Sequence, residues 1–209
     1  MTHPGRVLIA VAATTGVLVA ATLLAEPGAR LLAPLTGVAV SAVAARHHTW
    51  VVESVAVSAE AARAPELVAR GLVLDRPGDF SSGARVRARV SVGAAVEMPC
   101  VFAIVWLLWP GAPRARIAAL LVGLALALAC DVVVLSAMLL DGFVAGERAL
   151  AGRDDLTGPL AWFSGFLESG GRSALALVLA VATLTLIPAQ RASEGTTQPV
   201  DRPVARGSA

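Results

Sequence analysis

The sequence has no lysine, no asparagine and no tyrosine, and only two cysteines and three histidines in 209 residues. Each scarcity closes a route. Cys100 and Cys130 are too few for a disulfide framework and lack the paired C-x-x-C spacing of a zinc site. Histidine occurs only at positions 3, 47 and 48, so the commonest general acid and base is nearly missing. His47 and His48 are adjacent; on a helix they point about 100° apart, which is not the i,i+4 spacing of a metal pair. Ser164 has no histidine in a neighbouring segment to activate it. A non-enzymatic chain without cofactor or metal is the expectation. Lysine, asparagine and tyrosine share AT-rich codons, so their joint absence reads as genome composition, that of a GC-rich prokaryote. All seventeen basic residues are therefore arginine for a reason unrelated to phosphate or nucleic acid, and no nucleic-acid partner is expected.

Charge is scarce as well. Charged residues make up 15% of the chain, against about 25% in soluble domains. Hydrophobic residues make up 56% and the mean hydropathy is +0.74. A soluble core of this size would leave too much apolar surface uncovered. The composition points to an integral protein of the plasma membrane.

What is present is a series of apolar runs. Val7–Ala25 is long enough to cross about 30 Å of hydrocarbon, and too long for the core of a cleaved signal. Glu26-Pro27-Gly28-Ala29 reads as a tight turn, followed by a second run, Leu31–Ala45, that crosses back. Residues 1–45 thus form a helical hairpin. Residues 46–89 are polar: Trp50 marks the membrane border, residues 51–64 suit an amphipathic helix, and Glu66 with Arg70 forms a helical i,i+4 pair stopped at Gly71. Asp75-Arg76-Pro77-Gly78-Asp79 is a turn. Arg85, Arg87 and Arg89 alternate with apolar residues, a pattern open to a short strand but read as the basic start of a helix. Residues 90–189 then supply three further spans, Val90–Trp109, Ile117–Leu140 and Ser173–Ile187, with an interfacial segment at 156–172 and a disordered tail at 190–209. The expected fold class is an all-α, polytopic transmembrane helical bundle of about five spans, four as the alternative, with a partly helical cytoplasmic loop. Arginine placement, eleven inside to six outside, puts that loop in the cytoplasm.

Two ionisable residues fall inside these spans, Glu97 and Asp131, and no arginine accompanies them. Intramembrane carboxyls are costly, so they are functional candidates. Helix rise puts Glu97 about 10 Å, and Asp131 about 13 Å, from the cytoplasmic ends of neighbouring spans, with Cys100 and Cys130 at matching depth. Ala119, Gly123, Ala127 and Asp131 form an i+4 row of small residues suited to close packing, as do Ala12, Gly16 and Ala20. Gly93, Glu97, Cys100 and Ile104 share a face of their helix. If the two faces meet, both carboxyls and both thiols share a pocket. Two functions follow: a non-enzymatic membrane subunit or scaffold that meets a protein partner or a second copy through these faces, or a small transporter or transporter subunit handling protons or cations through Glu97 and Asp131.

Overall fold

The computed structural model describes residues 3–58, 65–109, 113–152 and 158–194. It departs from an all-α, five-span bundle in two ways. Three helical stretches are long and apolar enough to cross a membrane, Ala10–Ala44, Arg116–Leu150 and Pro159–Leu186. Between the first and the others lies a three-stranded antiparallel sheet. In chain order the elements are α1 (His3–Ala44), β1 (Trp50–Ser58), β2 (Glu66–Leu74), β3 (Gly83–Ser91), α2 (Ala94–Leu108), α3 (Pro113–Leu150), α4 (Pro159–Phe166) and α5 (Arg172–Glu194).

The expected hairpin in residues 1–45 is one continuous helix. Pro27 and Pro34 lie inside α1, each removing one backbone donor without ending it. Burial explains the continuity. Ala29, Leu32, Ala33, Val40 and Ala44, near-helical in spacing, belong to the main apolar core, so packing overrides the turn propensity of Glu26-Pro27-Gly28. Glu26 and Arg30 pair across the predicted turn on the exposed side, a minor contribution.

The polar segment expected to be partly helical forms the sheet. Its strands pair in the order β1-β2-β3, with Trp50 opposite Val73 and Val55 opposite Ala69 on one side, and Ala69 opposite Ala88 on the other. The register slips between Val52 and Ser54, a bulge at Glu53. Side-chain alternation then sorts the residues. Trp50, Val52, Val55 and Val57 join Leu67, Ala69, Gly71 and Val73, and Val86, Ala88 and Val90, on the face turned to the helices. Arg70, Arg85, Arg87 and Arg89 point the other way and are exposed. Residues 59–64, the second half of the expected amphipathic helix, lie outside the described residues. The turn before β3 lies where Pro77 and Gly78 place it, and Asp79 closes it by accepting from the Ser81 amide (3.0 Å), the Ser81 hydroxyl (2.6 Å) and the Ser82 hydroxyl (2.9 Å).

The C-terminal halves of α1 and α3 cover the inner face. At 1.5 Å per residue, α1 is about 63 Å long and α3 about 57 Å, roughly twice the hydrocarbon thickness. The surplus length is what packs on the sheet. Phe143 of α3 is fully buried, set against Gly71, whose missing side chain makes the room: a Cβ there would stand 2.2 Å from the Val51 carbonyl oxygen and 2.8 Å from the Phe143 ring. Trp50, expected at a membrane border, is buried instead; it stacks on His47 at 4.0 Å, meets Phe143 at 5.9 Å and donates from Nε1 to Glu147 at 3.2 Å. The segment at 156–172, expected to lie in the interface, is described from residue 158 and runs on from there into α5 through a break at Leu167–Gly171, where Gly170 has φ 108°. Trp162 and Phe166 are exposed on it and stack at 6.2 Å. Helix α5 continues to Glu194, into the first part of the predicted tail; 195–209 lie outside the described residues.

Two outcomes test this packing. Gly71→Ala forces β1 or Phe143 to shift and should cost about 1–3 kcal/mol, read as a lower unfolding temperature in detergent. Gly16→Ala, at a helical position with nothing within 4 Å, should leave that temperature unchanged or raise it. At the turn, the hydroxyl and amide donors of Ser81 and Ser82 hold the Asp79 carboxyl below its ordinary value of 3.8. The stabilisation is therefore present above that ordinary value and lost as the pH falls through the lower folded one. Carboxyl-carbon NMR should give Asp79 a midpoint below 3.8, and Ser81→Ala should move it upward.

Candidate functional site

Helix α2 is only fifteen residues long and apolar throughout except for Glu97, in its first turn. It packs against α1, α3 and α5, so a charge on it must find its partner among those helices. The partner is Arg172, the first residue of α5. Its Nε lies 3.4 Å from Glu97 Oε2, and the neighbouring Ser173 hydroxyl donates to Glu97 Oε1. The break at Leu167–Gly171 sets this arrangement. Glycine at position 170 permits the positive φ, and the turn it makes brings Arg172 to the α2 side while its Nε also reaches the Leu167 carbonyl at 3.4 Å. Both charged side chains are mostly enclosed, Arg172 15% and Glu97 28% exposed.

Asp131 of α3 stands behind this pair. It is fully buried, neither carboxyl oxygen has a hydrogen-bond partner, and Arg172 and Glu97 lie within electrostatic range. The structure thus brings both sequence candidates, Glu97 and Asp131, around a cation that the span boundaries had assigned to an interfacial segment. The signal for Arg172 was available: Ser169-Gly170-Gly171 before it marks a break, and a helix restarting there carries its first residue inward.

The remaining candidates divide. Gly123 faces the Phe102 ring of α2 so closely that a Cβ would stand 1.9 Å from it, and Ala119 and Ala127 on the same row are buried. Cys130 packs at the edge of the cluster formed by Met98, Phe102, Ala127, Leu167 and Ala176. Cys100 lies elsewhere. With Gly93, Glu97 and Ile104 it lines a cavity of about 510 Å³ between α2 and α1, closed on the α1 side by Leu18, Ala21, Thr22 and Ala25. The two thiols therefore border different spaces, because the Glu97–Cys100–Ile104 face of α2 turns to α1 rather than to α3. Gly16 has no neighbour within 4 Å. His47 is engaged in the Trp50 stack, and among the described residues no three His, Cys, Asp or Glu side chains gather as metal ligands would.

At the opposite end of α2, Arg116 caps the helix. It donates to the Trp106 carbonyl at 3.1 Å, lies 4.8 Å from the Trp106 ring centroid, and its own carbonyl accepts from Trp106 Nε1 at 2.8 Å. Short α2 is thus held at both ends by arginines from other helices.

No protein-family model, curated protein or solved structure matches this chain.

Removing one member of a buried ion pair leaves the other uncompensated, at a cost of about 3–5 kcal/mol. Arg172→Met should lower the unfolding temperature sharply, and adding Glu97→Gln with Asp131→Asn should recover most of the loss. A triple variant no more stable than Arg172→Met alone would show that the arginine matters for packing only.

Proposed function

We propose that this chain is a non-enzymatic integral membrane subunit or scaffold that fixes a small sheet to the end of its membrane helices. The observation that supports the reading is the compensation of the inner charges. Glu97 is ion-paired to Arg172 and bonded to Ser173, which ties α2 to α5, while Asp131 of α3 feels the same guanidinium at longer range, without a hydrogen bond to it. Charges spent in this way hold helices together. The sheet in turn has its inner face covered by α1 and α3, while Arg70, Arg85, Arg87 and Arg89 on the other face are exposed. The segment between α1 and α2 carries seven of the seventeen arginines, and the positive-inside bias places the sheet on the cytoplasmic side. That side is where a soluble partner would meet it.

A second reading, a small transporter or transporter subunit for protons or cations, draws on one specific observation: Asp131 is buried without a hydrogen-bond partner, and a cavity reaches Glu97 from α1. A buried carboxyl with an open site nearby is the usual material of a proton relay.

The Glu97→Gln/Asp131→Asn variant separates the two. In proteoliposomes with an internal pH dye, the scaffold reading expects no protein-dependent proton flux from the wild type. It also expects the variant to insert normally and to lose thermal stability and its co-purifying partner. Wild-type flux that the variant abolishes, with assembly intact, establishes transport instead.

A further inference from the structure

Helices α1 and α2 touch at Gly28, where a Cβ would stand 2.8 Å from Val96 Cγ1. Toward the N-terminus of α1 the side chains facing α2 are short: Ala25, Thr22 and Ala21 recur at helical spacing. The space they leave is the cavity of about 510 Å³, walled almost wholly by apolar atoms. Glu97 lines it at the sheet end, and Ile104, also on the wall, lies about 10 Å further along α2. The hydroxyl protons on the wall are already committed. Thr22 donates to the Val19 carbonyl at 2.8 Å, and Ser173 donates to Glu97 Oε1. Arg172 reaches Glu97 Oε2 from outside the cavity, and no guanidinium is among the described residues that line it. A carboxylate has room for about four donors, so Glu97 retains acceptor capacity at this wall.

We infer that this cavity binds a lipophilic monocation, an ammonium head on an apolar body about 10 Å long. The apolar walls take the body, and the volume falls within the usual range for small-molecule sites, about 300–1,000 Å³. The polar end offers acceptors and no uncommitted hydroxyl donor, which suits a head that only donates. Glu97 and Asp131 set two carboxyls against the guanidinium of Arg172, so one added cation leaves that cluster neutral with both acids ionised. A lipid acyl chain would fit the same walls, yet it would cover the Glu97 carboxylate with hydrocarbon and supply no donor, which is costly. A carboxylate or phosphate head would be repelled by Glu97. Binding of this kind requires neither flux nor a protein partner, so it goes beyond both the scaffold and the transporter readings.

The test uses the full chain in phosphatidylcholine nanodiscs, with n-octylammonium as the probe because its chain matches the Glu97–Ile104 distance. Radiolabelled probe is equilibrated by dialysis, and empty discs supply the background. A saturable component above that background is expected. It should be at least tenfold tighter than for octanol, which keeps the body without the charge, and absent for octanoate and for ethylammonium. Alkylation by N-ethylmaleimide, read by peptide mass spectrometry, locates the site. The probe should slow Cys100, which lines the cavity, about fivefold and leave Cys130 within twofold. Glu97→Gln should weaken binding at least tenfold. Because that change also unpairs Arg172, Ala21→Phe, which fills the cavity and leaves the ion pair intact, should do the same. Leu23 is exposed and off the cavity wall, so Leu23→Ala should change affinity less than twofold. No saturable binding, octanol or octanoate binding as tightly as octylammonium, equal protection of both thiols, or binding unchanged in both the Glu97 and Ala21 variants overturns the site.

Discussion

A three-stranded sheet with one apolar face is not stable alone; it must bury that face against something. Among the described residues most of that cover comes from the C-terminal halves of α1 and α3, and both helices exceed a hydrocarbon span by about a factor of two. Their length is therefore set by two tasks: an apolar half that can sit in lipid and a second half that covers the sheet. The contact is close because small residues allow it. Gly71 admits Phe143, and α3 passes Ala88 where Gly142 stands. Larger residues there would lift α3 from the sheet and expose the Leu67, Ala69 and Val73 face.

Anchoring the sheet fixes the short helix. β3 ends at Ser91 and α2 starts at Ala94, so no linker separates strand from helix. Val92, Ala94 and Ala95 lie in the same core as the sheet, and Glu97 follows within the first turn. The acid is thereby held at the level where α5 begins, and Arg172 meets it there. A helix of fifteen residues gains little from its own length. Its position comes from the sheet at one side, from Arg172 at its start, and from Arg116 at its end.

Much of this was legible in the sequence and some was not, for identifiable reasons. The apolar stretches, the turn at Pro77-Gly78, the shared face of Gly93, Glu97, Cys100 and Ile104, and the close approach at Gly123 all follow from hydropathy and helical periodicity. Several signals of the sheet are degenerate between strand and helix. Glu66 and Arg70 are four apart, an even number, so they share a face on a strand as well as on a helix. Gly71 suits a helix stop, and it is equally the residue a strand needs where an aromatic ring crosses it. The Arg85–Val90 alternation carried the period of two openly; only the preference for helices in a membrane protein argued against it. Pro27 and Gly28 misled in the opposite direction. Local turn chemistry marks where a helix is weak, and tertiary burial of Ala29, Leu32 and Ala33 decides whether it breaks. Hydropathy places a span boundary at a charge such as Arg172, whereas an ion pair can draw that charge inside.

The two charged regions are mechanically joined. Asp131 and Phe143 lie on the same uninterrupted helix, twelve residues or about 18 Å apart, and face different neighbours, the ion-paired cluster and the sheet. Arg89 and Glu97 are likewise separated only by the end of β3 and the first turn of α2. Between the sheet and the apolar helices there is thus neither a flexible linker nor an independent domain boundary in the β3–α2 connection. A displacement of α3 along its axis, or of α2 about its start, changes the packing of Phe143 on Gly71 and the approach of Glu97 to Arg172 together. Interdigitated cores respond to such shifts by repacking rather than by gradual strain. The outer arginine face is carried on strands whose inner side is that same core.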